Sequence, residues 1–459
     1  VKLINLNRKV SVTDEEESVV YYITDPNLEG SENNKRLKYL KYGVWAYFLL
    51  LIFEGALRKW ILPGLATPLL IIRDPIAIWL LFQSMRYGIF KPGFYVYALW
   101  SLTGVAFLTT IIFGHGDPTV ALYGARIFAF HFPLIFVIAR IFNRKDVINV
   151  GKWLLWISIG MTFLIGLQFF SPQSAWINRG IAGDSAGSGF SGSGGYYRVP
   201  GTFSFTNGLS LFYGFAASFI FYFWIDNKDK KIPQYLLLFS TLSLLAAIPL
   251  SISRTILFEV AMSIMFLIVV AIRNPKFLGS LVAIFVIGFL LVLGLSFFPF
   301  FQTSTGAFTE RFTTANDSEG GLVQGVFIDR FLGGMVGAIT SDETPPFWGK
   351  GLGMGTSAGA KLLTGDADFL ISEGEWGRMI GEMGLILGFS FIFLRLYLIF
   401  QLMTRSISAI GKKNPLPWLL MSFAVFMIAQ SQLGQTTSLG FTVLATGLIL
   451  AGFKDNRAI

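Results

Sequence analysis

Twelve apolar stretches follow one another along this chain, and they leave it few ways to fold. They lie at 40–58, 65–83, 94–113, 119–140, 153–171, 203–225, 235–251, 255–272, 277–298, 380–402, 415–432 and 436–453. A bilayer core is crossed by about 20 residues of helix. Inside it every backbone N–H and C=O needs a partner within the segment, so an apolar run of that length is a helix or is not in the membrane. The expected fold class is an all-α integral membrane protein with about 12 transmembrane helices. Composition agrees: 53% of residues are hydrophobic, 14% are charged, and mean hydropathy is +0.62. A soluble domain carries about 25% charged residues.

Sidedness follows from the loops. With the N-terminus inside, the even gaps carry Arg86 and Lys91, then Arg140, Arg144 and Lys145, then Lys228, Lys230 and Lys231. Arg273 and Lys276, then Arg405, Lys412 and Lys413, then Lys454 and Arg457 continue the series. Basic loops stay cytoplasmic, so the net charge of +9 needs no nucleic-acid partner. Both termini are then cytoplasmic. This depends on splitting two runs at Ser251-Ile252-Ser253-Arg254. Residues 1–38 read as a polar cytoplasmic tail without a cleavable signal pattern. Residues 39–298 hold helices 1–9, 299–378 form a large extracytoplasmic loop with short helices, and 379–459 hold helices 10–12 and a cytoplasmic end. The large loop has ten acidic residues against five basic ones. A second outer segment, Ser171–Pro200, is rich in Gly and Ser and reads as a flexible linker or a mobile lid.

Ionisable residues in membrane helices are costly and therefore suspect. Glu54, Arg58 and Lys59 read as interfacial side chains beside Trp60. Arg73 and Asp74, ahead of Pro75, read as an ion pair inside the bundle or as a substrate contact, and Arg126 is similarly placed. His131 reads as a satisfied core histidine. Arg198 and Arg254 are expected at the outer face, Arg254 at a helix N-terminus that suits a phosphate. The bland reading of Arg254 is a snorkelling side chain. Trp348 to Gly355, with glycines at 349, 351, 353 and 355, lacks the phosphate-loop pattern and reads as tight backbone turns. The acid/base candidates are Glu373 and Glu375, with Asp366 and Asp368 nearby. Arg378 and Glu382 stand at helical i, i+4 spacing and can pair with each other. Cysteine is absent and histidine occurs twice, and no calcium-loop spacing is present, so no metal is expected.

Four segments together resemble the O-antigen ligase and polymerase family of bacterial polysaccharide assembly. Arg198-Val-Pro-Gly-Thr-Phe-Ser-Phe-Thr-Asn207 is similar to its R..GTF..PN segment, with Thr206 in place of proline. Ser253-Arg254-Thr255 is similar to its SR[GT] motif. Phe347 to Gly353 is similar to its glycine turn, and Glu382-Met-Gly384 with Gly388 to its E.G..G helix. The likeness covers roughly residues 190–450. The resemblance implies a GT-C-like fold in the bacterial inner membrane and a glycosyltransferase that uses neither metal, nucleotide nor other cofactor. The implied donor is a glycan on undecaprenyl pyrophosphate. The implied acceptor is another glycan, giving a polymerase, or a lipid, giving a ligase. Chain-length-regulator or export proteins are implied partners. In this picture Arg198, Arg254 and Arg378 hold the pyrophosphate, Glu373 or Glu375 prepares the acceptor, and Glu382, Arg73 and Arg126 support them. The family carries histidine where this chain has Glu373, which favours the polymerase. A secondary transporter or lipid-glycan flippase is the alternative, and a non-catalytic assembly subunit a third.

Overall fold

A computed structural model of the chain describes residues 26–226, 232–318, 336, 347–365, 370–372 and 374–454. It is an all-α membrane protein. Among the described residues, nine helices are long and apolar enough to cross a membrane. Three further apolar helices have 17, 15 and 17 residues. At about 1.5 Å per residue these reach no more than about 25 Å, short of a full hydrocarbon core. Among the described residues nine of the twelve expected stretches thus reach full spanning length, and the other three are shorter helices.

Helix α1 (Pro26–Ala56) runs into a single π-helical turn, Leu57–Ile61. Next come α2 (Arg73–Arg86) and α3 (Phe94–Phe113). The fourth stretch is α4 (Pro118–Arg126) and α5 (Phe132–Ile141), joined by a second π-helical turn, Ile127–His131. Asp117 caps α4, and the Val120 and Thr119 amides hold its carboxyl below the usual range. Then follow α6 (Arg144–Phe170), α7 (Thr206–Ile225), α8 (Gln234–Leu250), α9 (Arg254–Arg273) and α10 (Leu278–Leu295). The polar segment contributes α11 (Pro299–Ser318) and α12 (Ser357–Thr364). The chain closes with α13 (Glu375–Gly411), α14 (Leu416–Gln430) and α15 (Thr436–Gly452). The joint between the seventh and eighth stretches is a turn: α8 stops at Leu250, and Ile252 takes a left-handed φ of 48° before α9 begins.

Burial separates centre from rim. The apolar window of α7 is 94% buried, and that of the helix containing α10 only 17%. Helix α7 is therefore the axis of the bundle. Helix α10 presents Val282, Phe285, Phe289 and Leu293 outward, an apolar surface that suits lipid rather than water.

The two ends of the bundle differ. At one end Lys41 pairs with Asp146 at 2.7 Å, and Arg144 with Asp226 at 3.0 Å. There Lys454 donates to the carbonyls of Arg140 and Phe142. At the other end Trp60 stacks on Trp176 and Phe113 on Trp348. Ser171–Pro200, read as a linker or lid, is folded onto this second end. Asn178 donates to the carbonyls of Gln168, Ser171 and Pro172. Phe190–Ser191 and Tyr197–Arg198 form a short antiparallel hairpin.

Candidate functional site

Helix α13 is not continuous. Gly384 takes φ 76° and ψ 176°, which breaks it into a short piece, Glu375–Met383, and a long span. The break frees carbonyls that a regular helix would satisfy four residues on. The glycine-rich loop supplies the missing donors: Lys350 N–H bonds the Gly381 carbonyl at 2.8 Å, and Gly351 N–H the Glu382 carbonyl at 2.9 Å. Gly349, Gly351 and Gly353 all have positive φ. A Cβ on Gly349 would overlap Glu382 backbone, and one on Gly384 the Phe347 carbonyl. The tight turns expected here are present, and they serve as the cap of a broken helix.

The short piece of α13 carries a buried four-charge cluster. Arg378 donates through Nε and Nη2 to the two oxygens of Glu375 at 2.9 and 3.0 Å, and through Nη1 to Glu382 at 2.7 Å. Arg395 Nη1 reaches Glu375 at 2.6 Å. The Leu433 amide donates to Glu375 and the Gly355 amide to Glu382. Arg395 also donates to the carbonyls of Ile428 and Ser431. Two anions balance two cations, and all four side chains are buried. This geometry corrects two expectations. Glu375 has both oxygens committed to fixed donors, so it is an anchor rather than an acid/base. Arg378 spends its guanidinium on carboxylates, so it does not face a pyrophosphate. Glu382 supports the glycine loop. Glu373, Asp366 and Asp368 lie outside the described residues, as does most of the large loop.

The cluster fixes the connection Ser431–Gln435, and that connection walls a cavity. The cavity measures about 340 Å³ and lies between α7, α9, α14 and α15. Its polar lining includes Asn207, Thr255, Glu259, Gln430, Gln432 and Ser438; Leu211, Phe258, Met262 and Phe426 are among its apolar walls. Glu259 Oε2 is buried without a hydrogen-bond partner. The carboxylate lies across Gly214, where a side chain would collide with it. Thr255 and Glu259 share a face of α9 at i, i+4 spacing, and Arg254 opens the same helix. Sequence reasoning missed Glu259 and Arg395. Their signal was available, since each is an isolated charge in an apolar run.

A second charged cluster joins α1, α2, α4 and the two π turns. Glu54, Arg58 and Lys59, read as interfacial, are 4%, 8% and 0% exposed. The reason is local: Lys59 donates to the Gly201 and Phe203 carbonyls, and Arg58 to the Ala66 carbonyl and Ser204 Oγ. Arg73 and Asp74 do not pair with each other. Arg73 Nε lies 3.4 Å from Glu54, which Arg58 meets from the other side at 3.5 Å. Asp74 receives Arg126 Nη1 at 2.7 Å and His131 Nε2 at 2.8 Å. A carboxylate only accepts, so His131 donates through Nε2 and takes the Tyr47 hydroxyl at Nδ1, 3.2 Å away. His131 is thus a satisfied core histidine.

Segment Arg198–Asn207 bridges the two regions. Its carbonyls and Ser204 meet Lys59 and Arg58, and its last residue, Asn207, lines the cavity and bonds Ser438 at 3.3 Å. Thr202 Oγ1 ties it to the Ile52 carbonyl. Arg198 ends the hairpin with its guanidinium over the Phe190 ring. Among the described residues no group of three His, Asp or Glu converges as a metal site.

No family model, curated protein or solved structure matches this chain.

Proposed function

We propose that this protein transfers a glycan from undecaprenyl pyrophosphate to an acceptor hydroxyl at the cavity beside Glu259. The observation that carries the reading is Glu259 itself: a membrane-embedded carboxylate, unpaired at Oε2, facing a cavity lined by amides and hydroxyls. Such a residue is retained against its cost when it has chemistry to do. A cavity of this volume is at the small end of ligand sites, sized for one sugar unit rather than a chain. Amide and hydroxyl side chains match sugar hydroxyls, which both donate and accept.

In this mechanism the acceptor oxygen attacks the anomeric carbon and its proton passes to Glu259. The bond from that carbon to phosphate breaks, and undecaprenyl pyrophosphate leaves with the electron pair. Arg254 lies about 7.5 Å along the helix from Glu259 and about 140° round it at regular geometry, so it would meet the leaving group at the end of the helix, outside the cavity lining, while Glu259 handles the acceptor within it. Arg198 belongs to the segment that lines the same region. Glu375, Arg378, Glu382 and Arg395 keep the cavity wall in register. The four motif segments that resemble the O-antigen ligase and polymerase family support the donor class. The missing histidine favours a glycan acceptor over a lipid one. The reading requires twelve spans in a bacterial inner membrane, both termini cytoplasmic and the cavity open to the outer side.

The test is a knockout strain rescued with wild type, Glu259→Gln, Arg254→Ala or Arg198→Ala, followed by glycan chain-length analysis. Loss of elongation with repeat units still made and exposed outside is expected for all three variants. Full-length chains from Glu259→Gln would remove the proposed base. Repeat units trapped on the inner leaflet would replace this reading with a flippase.

A further inference from the structure

The cluster around Arg73 and Arg126 has no part in the mechanism above, and its charges do not balance. Among the described residues Arg58, Arg73 and Arg126 face only Glu54 and Asp74, and His131 is accounted for as a neutral donor to Asp74. One positive charge is left over among these contacts, and Lys59 beside them is held by the Gly201 and Phe203 carbonyls. The hydrogen bonds are unbalanced in the same sense. Arg73 Nη1 and Arg126 Nε and Nη2 are buried without a hydrogen-bond partner. Both side chains are more than nine-tenths buried, at 3% and 6% exposed. Tyr47 and Tyr123 lie against the two guanidinium faces. A ring face eases the burial of a cation but leaves its in-plane N–H groups unsatisfied.

The backbone is arranged to hold these groups together. Two π-helical turns, Leu57–Ile61 and Ile127–His131, carry or border four members. In a regular helix residues five apart point about 140° apart. The wider π turn brings Arg126 and His131 onto one side, where both reach Asp74. Such turns recur at functional sites because they aim side chains at some cost in helix geometry.

We infer that this cluster binds a phosphate-class dianion, either the phosphoryl or pyrophosphoryl headgroup of a lipid or the corresponding free anion. Such an anion offsets the surplus, and its oxygens accept from the unsatisfied guanidinium forks. Asp74, the most exposed member at 17%, marks the open side. The site lies close to the cavity wall: Arg73 donates to the Thr436 carbonyl, two residues before Ser438, and Arg58 to Ser204, three before Asn207. It stands whether or not the cavity transfers glycans.

The experiment is anion binding to the purified full chain in detergent, followed by thermal unfolding at constant ionic strength. The probes are inorganic pyrophosphate and a short-chain polyprenyl pyrophosphate. A saturable rise in Tm with either supports the site. A response to the polyprenyl form alone assigns it to a lipid headgroup, and an equal response to both assigns it to the free anion. Arg126→Gln weakens binding about tenfold or more, the value of one charge-assisted bond. Asp74→Asn removes a competing carboxylate and tightens binding, which keeps the test decisive if the arginine variant does not fold. No saturable shift with either probe, or Asp74→Asn binding more weakly than wild type, overturns the inference. The Arg126 and Asp74 variants separate this site from Arg254: binding of the polyprenyl probe that neither variant changes would overturn the inference and leave the glycosyl-transfer proposal to its own test.

Discussion

Glu259 is one carboxylate in an apolar helix of 20 residues, and its surroundings were built to admit it. Gly214 on α7 has no side chain where Glu259 lies. Replacing Glu259 by Gln keeps the shape and removes the base, so elongation should fall by about 10²–10⁴ while the protein accumulates normally. Gly214→Ala tests the same point from the other side. Alanine favours a helix over glycine by about 1 kcal/mol, yet its methyl group must push the carboxylate aside. The expected outcome is near-normal expression with activity reduced towards that of Glu259→Gln; full activity would mean that the carboxylate position does not matter. Glu259 and Arg395 were legible as isolated charges, but a run of apolar residues draws attention to its average. Arg378 and Glu382 were legible as an i, i+4 pair. What the spacing does not carry is Arg395, 20 residues beyond Glu375, which folds back onto the same carboxylate. Arg395→Met leaves Glu375 buried with one cation fewer, and removing one partner of a buried pair costs about 3–5 kcal/mol. Thermal unfolding in detergent should show that loss, and Glu375→Gln combined with Arg395→Met should recover part of it.

At the scale of elements, the twelve apolar runs were legible because a membrane helix must be apolar along its length, and a helix occupies each of them. Breaks within a helix leave a weaker mark. The stretch 380–402 reads as one helix by composition, and only the backbone shows that Gly384 breaks it. The two π turns are equally silent, since one extra residue in a turn hardly disturbs an apolar pattern. Gly384 holds a conformation close to glycine-only, and strain of that kind costs about 1–3 kcal/mol for any other residue. Gly384→Ala adds a collision with the Phe347 carbonyl and should uncouple the glycine loop from the ends of Gly381 and Glu382. The expected result is a loss of at least about 2 kcal/mol, read as a lower Tm in detergent. Gly288→Ala is the control: it lies on the outward-facing α10, nothing lies within 4 Å of the added methyl group, and the helix should gain rather than lose. Equal Tm values for the two variants would remove the structural role given to the break.

For the whole molecule, sidedness decides which substrates can arrive. The proposed function takes the end with Lys41, Arg144 and Lys454 as cytoplasmic, as the alternation of loop charges leads one to expect, and the fold gathers those residues at one end of the bundle. The opposite end holds the Ser171–Pro200 segment and the glycine loop, beside the region of the cavity. If that end is outside, the donor is lipid-linked, since ATP and nucleotide-sugars are scarce there. The chain has no cysteine, so a single introduced thiol reports its own position without background. Ser185 and Ser408 are both exposed and belong to opposite ends by the loop alternation. In intact spheroplasts a membrane-impermeant maleimide should label Ser185→Cys at once and Ser408→Cys only after permeabilisation. The reverse pattern would place the cavity end in the cytoplasm and open it to nucleotide-sugars. Glu259 would then still be an unpaired carboxylate facing a cavity, but a lipid pyrophosphate presented outside could no longer be its donor.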